Sequence, residues 1–424
     1  MWNLLKNALK IKELRARIIF TLFMFALFRL GTFIPVPGVN RELLKEAVTQ
    51  GGLLSLIDIF AGGGLSNFSI FALGVFPYIN ASIIMQLLGA IFPKLEEIMR
   101  EGGEEGRRKI AMWTKYLTFF LALIEAGALL ITFSNQGYVT AKGILSQLTI
   151  IFTLVAGTYV LFWMGEKITE KGIGNGVSLI IFAGVISRIP VGVGEIVRLY
   201  GKTGGISLTQ IILTIIGFLA ILLGILYLYQ SERRVPVQYA KRIVGRRMYG
   251  GQSTYIPLRL IQAGILPIIF ASAFLTFPGT IGQFFPGTWI DSVGKALTRS
   301  NSFWYNLFFF LLVVFFTYFY TEISFNPNEL SENLKKWGGF IPGVRPGEAT
   351  TQYIARIINR VTFPSALILG LIAIVPNFFF GATQIRAFYF GGTSILIIIG
   401  VALETVQQID AYVKMRHYEG LLKW

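Results

Sequence analysis

Cysteine is missing from all 424 residues, which excludes disulfide scaffolds, thiolate metal sites and cysteine nucleophiles at once. Histidine occurs once, as His417 in a basic tail, so neither a histidine metal site nor a histidine pair for catalysis can form within the chain. Charge is scarce. Asp, Glu, Lys and Arg make up 14% of residues against 54% hydrophobic, with a mean hydropathy of +0.63. That balance belongs to a polytopic membrane protein rather than a soluble domain. Nucleotide motifs fail on spacing. Gly201-Lys202-Thr203 resembles the end of a phosphate-binding loop, but Ile196 stands where that loop requires glycine. Gly172-Ile173-Gly174-Asn175-Gly176 echoes a dinucleotide loop with no strand before it, and reads as a tight turn into a helix. H-E-x-x-H does not occur, and Glu125, Glu322 and Glu404 sit in or at the ends of apolar runs without an evident acid–base partner. A hydrolase is poorly supported.

What the chain does have is ten apolar runs: Ile18–Phe33, Phe68–Phe92, Met112–Phe133, Leu145–Met164, Val177–Ile189, Leu208–Tyr229, Pro257–Phe277, Phe303–Ile323, Val361–Val375 and Ser394–Ile409. At about 1.5 Å per residue most are long enough to cross a bilayer as helices. The fold class expected is therefore an all-α polytopic membrane protein with ten spans. The fifth run is short before Pro190, and reads as tilted, partly enclosed or continued through Gly192. The basic stretch from Met1 to Arg17 and the run after it resemble a signal peptide only superficially, because Pro35-Val36-Pro37-Gly38 turns the chain where a cleavage site would stand. Arg29 is expected to snorkel outward from the first span.

The net charge of +16 raises the question of nucleic acid. With ten spans both ends share one side, and 28 of the 38 Lys and Arg residues fall there. That asymmetry places both termini in the cytoplasm and accounts for most of the charge without a nucleic-acid partner.

Leu53 to Pro93 breaks the regular pattern. A short apolar piece carrying Asp58 runs into Gly62, Gly63 and Gly64 before the second span begins. Three adjacent glycines cost a helix about 1 kcal/mol each, so the backbone breaks there. Non-helical backbone at membrane depth needs protein or a wet cavity around it. Two readings stand at this point: a half-helix reaching in beside a full span, or an outer loop with a greasy start.

Two loops on the basic side exceed a tight connection. Ser231 to Arg259 alternates through Val235-Pro236-Val237-Gln238-Tyr239, breaks near Gly245 and makes a second run to Gly250-Gly251, as a two-stranded basic finger would. Asn326 to Arg360 brackets Arg345 with glycines and prolines. Both read either as docking surfaces for a soluble partner or as solvated topology signals. An ion-coupled secondary transporter would also use a broken helix and two five-span halves, but needs charged or polar groups at mid-membrane. The interiors of spans 2, 5, 7 and 10 are nearly free of charge. On spans 2 and 5, Val75 with Ile79 and Val177 with Ile181 stand four apart on one helical face. They read as lipid-facing or packing residues, or else as part of an apolar collar against water and ions.

Six segments carry a family resemblance: SIFALGVFPYINASIIMQLL (Ser69–Leu88), EGGEEGRRK (Glu101–Lys109), GIGNGVSLIIFAG (Gly172–Gly184), FIPGVRPGEAT (Phe340–Thr350), YFGGTSILI (Tyr389–Ile397) and MRHYEGLLK (Met415–Lys423). Together they resemble the SecY family, the channel subunits of bacterial Sec protein translocons, over essentially the whole chain. The resemblance implies two pseudo-symmetric five-helix halves, residues 18–190 and 208–411, around an hourglass pore with a lateral gate between helices 2–3 and 7–8. It implies a central ring at Val75, Ile79, Val177, Ile181, Ile269 and Ile397, with valine at 75 and 177 in place of the commoner isoleucine. A plug half-helix is implied at Leu54, Leu56, Ile57, Asp58, Ile59, Phe60, Ala61, Gly62, Gly63, Gly64 and Leu65, held by weak contacts. Motor or ribosome docking is implied on the loops at 231–257 and 324–360, through Arg233, Arg234, Lys241, Arg242, Arg246, Arg247 and Arg345. The implied partners are SecE and SecG in the membrane, SecA or a ribosome on the cytoplasmic face, and secretory preproteins and their signal sequences as substrate. No cofactor or metal is implied, and the location is the bacterial inner membrane.

Overall fold

The computed structural model describes residues 9–49, 53–100, 102–140, 143–200, 207–239, 242–244, 247–249, 253–262, 264–282, 285, 287–298, 302–383 and 391–421. Sixteen helices and five short strands follow in order: α1 Lys12–Gly31, α2 Arg41–Thr49, α3 Leu53–Phe60, α4 Phe76–Ile91, α5 Pro93–Arg100, α6 Gly103–Asn135, α7 Ile144–Lys171, α8 Gly176–Ile186, α9 Ile189–Leu199 and α10 Leu208–Gln230; β1 Glu232–Tyr239, β2 Arg242–Val244, β3 Arg247–Tyr249 and β4 Ser253–Arg259; then α11 Leu266–Gly282, α12 Trp289–Thr298, α13 Phe303–Ser324, α14 Pro327–Lys336, β5 Gly339–Phe340, α15 Glu348–Thr383 and α16 Gly391–Leu421. A helix lies in each of the ten apolar runs. Among the described residues seven helical stretches are long and apolar enough to cross a membrane, or eight counting the pair α4–α5, which bends by 112°.

Most helices run past the apolar bounds, and three runs are not one continuous helix. Phe68–Phe92 is helical only from Phe76, because Phe68 and Gly74 have φ of +43° and +61° and Pro77 sets the first turn of α4. Pro257–Phe277 starts as strand, with Pro257 paired to Arg234, and becomes helix only at Leu266 beyond Gly264 (φ +60°). The short fifth run is extended by a turn at Ser187 and Arg188 into α9, giving 23 residues from Gly176 to Arg198. Asn175 starts α8, its Oδ1 accepting the Ser178 N–H at 3.2 Å, so the glycine-rich stretch is a helix cap. Gly176 has no room for a Cβ, which would meet the Gly165 carbonyl oxygen at 1.9 Å.

Most helices share one apolar core drawn from α1, α4, α7, α8, α10, α11, α13, α15 and α16. A second core, with Leu44, Leu65, Phe68, Phe133 and Leu154, lies among the first seven helices. The two long basic loops are not independent. The alternating stretch forms strand β1, but its partner is β4 from Ser253, beyond the expected second run to Gly250-Gly251, with β2 and β3 paired as a separate hairpin between them. On its other edge β1 pairs with β5 of the second loop, giving the order β4-β1-β5. Val235, Val237, Leu258, Leu334, Ile341, Ile354 and Ile358 form a small core beneath that sheet. Leu334→Ala should cost about 2–5 kcal/mol of local stability. Limited proteolysis of the membrane-embedded protein should then cut both loops faster; faster cutting of the second loop alone would mean that they do not share a core.

Candidate pore constriction and plug

Val75 is the cap residue of α4 and its carbonyl accepts the Ile79 N–H at 3.1 Å, so these two side chains sit one turn apart. Val177 and Ile181 are one turn apart on α8, with Val177 seated against Gly165 of α7. Ile269 lies on α11 and Ile397 on α16. Five of the six are at most 4% exposed and belong to one apolar cluster, and the half-buried Val177 packs against it. Their helices meet in succession: α4 touches α11, α11 touches α16, α16 touches α8, and α8 touches the half-helix α3. The fold therefore gathers four elements that lie far apart in sequence.

The glycine triplet breaks the half-helix as its composition requires. α3 ends at Phe60, so the helix is shorter than Leu54–Leu65, and Gly62 and Gly63 turn with φ of +63° and +87°. Leu54 and Ile57 are half-buried; Phe60, Ala61 and Leu65 are buried, and the side chains of Leu56 and Ile59 lie outside the described residues. The Phe60 ring stands edge-on to Phe76 with centroids 5.0 Å apart. A Cβ at Gly62 would meet the Gly184 backbone at 2.9 Å, a contact only two glycines permit.

Weak contacts are not what holds this piece. Asp58, fully buried, is ion-paired with Arg188, and its Oδ1 accepts the Ser66 N–H at 2.7 Å. Arg29 does not snorkel outward. It donates to the Gly62 carbonyl at 2.9 Å and to Ser187 Oγ at 3.2 Å, because the glycine turn exposes a carbonyl that no helix bond satisfies. Sequence reading missed Arg188 and Ser187 altogether. The available signal was Asp58, a lone charge in an apolar piece that needed a partner.

Another polar contact lies between α4 and α6, where Asn80 Nδ2 donates to Glu125 Oε1 at 2.8 Å. Thr276 and Thr280 of α11 line the same small cavity with Ile57. Glu125 thus has a partner, an amide rather than a second acid or base.

On the basic loops, Arg233 and Arg234 are exposed on β1. The Arg234 guanidinium bonds Glu232 at 2.7 Å and lies over the Tyr255 ring at 4.7 Å. The Glu232 carboxylate raises the pKa of Arg234 above its ordinary value. Arg242 and Arg247 occupy the short β2–β3 hairpin, while Lys241 and Arg246 lie outside the described residues. Arg345 is exposed, with its carbonyl held by Thr350 Oγ1 at 2.8 Å between Gly343 and Gly347, whose φ values of +80° and +103° make the turn. Among the described residues no group of three or more His, Cys, Asp or Glu comes together as a metal site.

The SecY family model matches residues 69–406. The chain belongs to the SecY family. It is 46% identical to the protein translocase subunit SecY of Thermotoga maritima, over 100% of this chain and 98% of that one. The fold matches a solved protein-conducting channel with a TM-score of 0.67 at 18% identity, covering 93% of this chain and 91% of that chain. It also matches Sec61 in a canine ribosome–channel complex from the endoplasmic reticulum, with a TM-score of 0.63 at 16% identity and the same coverage. None of these likenesses points toward an ion-coupled transporter. As a SecY-family member the chain is a multi-pass membrane protein.

Replacing Ile79 and Ile397 together with asparagine puts two amides into the apolar cluster and should wet it. The resting conductance of planar bilayers holding the assembled complex should rise several-fold. Conductance equal to the parent's would remove these two side chains from the seal.

Proposed function

We propose that this chain is the channel subunit through which unfolded secretory polypeptides cross a bacterial inner membrane, and from which apolar segments pass sideways into lipid. The observation that carries the reading is that six branched apolar side chains, on four helices that touch in succession beside the half-helix α3, lie in or against one apolar cluster. Branched hydrocarbon side chains wet poorly when nothing lies between them, and they can move aside for any passing chain whatever its sequence. Val75, Ile79, Val177, Ile181, Ile269 and Ile397 act as the constriction, and Leu54 to Leu65 as the plug beside it. Residues 18–190 and 208–411 form the two halves. A segment between them partitions by its own transfer energy, about 25 cal/mol per Å² of apolar surface buried.

Such a channel breaks no bonds, and the sequence holds no phosphate-binding loop to power it. Work has to come from outside. The sheet joining the two basic loops is the surface on which SecA or a ribosome docks, with Arg233, Arg234, Lys241, Arg242, Arg246, Arg247 and Arg345 meeting acidic protein or ribosomal RNA. Contacts to RNA phosphates would make that docking strongly salt-dependent. SecE and SecG complete the complex in the membrane. Both termini lie in the cytoplasm, on the side that holds 28 of the 38 basic residues.

The deciding assay is reconstitution with SecE and SecG in vesicles, followed by addition of SecA, ATP and a secretory precursor. Precursor should become protease-protected inside; none protected would sink the channel reading. Arg345→Glu should cut motor-driven uptake by about tenfold or more while the membrane complex still assembles, as reversal of a central contact charge does. Normal uptake in that variant would take Arg345 out of the docking surface.

A further inference from the structure

The plug's polar anchors all lie on one side of it. Asp58 is paired with Arg188, at the turn between α8 and α9. Arg29 of α1 holds the Gly62 carbonyl, and Ser187 Oγ lies between them, 3.4 Å from that carbonyl and 2.7 Å from the Gly184 carbonyl. On its other face the half-helix presents Ile57 to a small cavity, where Asn80 and Glu125 of the first half and Thr276 and Thr280 of α11 complete the lining. Charge therefore fixes the plug to α1 and to the turn after α8, whereas toward α11 it offers an apolar side chain across a cavity.

We propose that Arg188 and Arg29 are positioning residues for the plug, and that the Asp58–Arg188 pair is the latch that keeps it seated as part of the first half when the two halves separate. The inference rests on the channel reading given above and adds to it which contacts must break, and where the moving part turns. A carboxylate with no exposed surface is tolerated at this depth only beside its counter-charge, so removing Arg188 leaves Asp58 uncompensated and favours states in which it reaches water. Parting of the halves draws α11 away from Ile57 and leaves every anchor intact. Displacing the plug is then a separate step, in which the pair opens and α3 swings about Gly62 and Gly63. Those two positions already have the positive φ that lets a backbone turn there without a Cβ penalty.

The absence of native cysteine makes this measurable. Ala61→Cys, at a residue with no exposed surface, serves as the sole thiol of this chain, which is reconstituted with cysteine-free partner subunits and probed with a membrane-impermeant maleimide from the side opposite the termini. In the Arg188→Gln background the labelling rate should rise at least about tenfold, as loss of a buried counter-charge predicts, with a parallel rise in resting conductance. Arg188→Lys keeps the charge and should return both to within a few-fold of the parent. A purely packing role for Arg188 would leave Lys as damaging as Gln, and that result, or parental labelling in Arg188→Gln, overturns the latch. Should Arg188→Gln not assemble, Arg29→Gln carries the test. It frees the Gly62 carbonyl without stranding a buried charge and should raise labelling several-fold; no rise overturns the proposal. Precursor uptake by the parent complex is measured alongside. Its failure would strike the channel reading, whereas the labelling results bear on the latch alone.

Discussion

Backbone that leaves the helix inside a membrane has to find its hydrogen-bond partners within the protein. The stretch from Ala61 to Val75 does so almost residue by residue. Gly63 donates to the Asp58 carbonyl, Ser69 to Gly64, Ile70 to Ile34 and Gly74 to Phe71, while Val36 returns a bond to Phe68. This knot is what allows a half-helix to stand beside full spans. It also fixes where α4 begins, and so where Val75 and Ile79 point. Without it the second apolar run would be free to extend as one helix and there would be no separate half-helix.

Glycine makes the knot possible at a few defined points. Gly62 against Gly184, and Gly157 with the Ile70 carbonyl oxygen 1.7 Å from where its Cβ would stand, bring backbones closer than any side chain permits. Close backbone approach in turn exposes carbonyls that α-helices would have satisfied. Arg29 and Ser187 answer that need, and Asp58 with Arg188 adds a charge pair at the same place. The central cluster is hydrocarbon, and the contacts that hold the half-helix beside it are polar.

The two basic loops have likewise become one body. A strand of two residues, Gly339 and Phe340, is enough to join them, because Val237, Leu258 and Ile354 bury a shared apolar patch below. The loop that carries Arg345 thereby shares one body with β1 and β4, and the Arg259 guanidinium at the end of β4 donates to Gln407 of α16 at 2.8 Å. α16 carries Ile397.

Sequence alone determined the composition-driven features. Long apolar runs separated by charged loops dictate membrane helices, because transfer energy depends on local content and not on neighbours far away. The glycine triplet dictated the break after Phe60, and the alternation from Val235 to Tyr239 dictated a strand, since both are local backbone preferences. Tertiary structure decided what those pieces meet. Which side chains share the central cluster, that Arg29 turns inward to a carbonyl, that Arg188 answers Asp58 from 130 residues away, and that β5 joins β1 are all contacts between distant parts of the chain. No local preference encodes such pairings. They are set by which surfaces and unsatisfied polar groups the packed helices bring together.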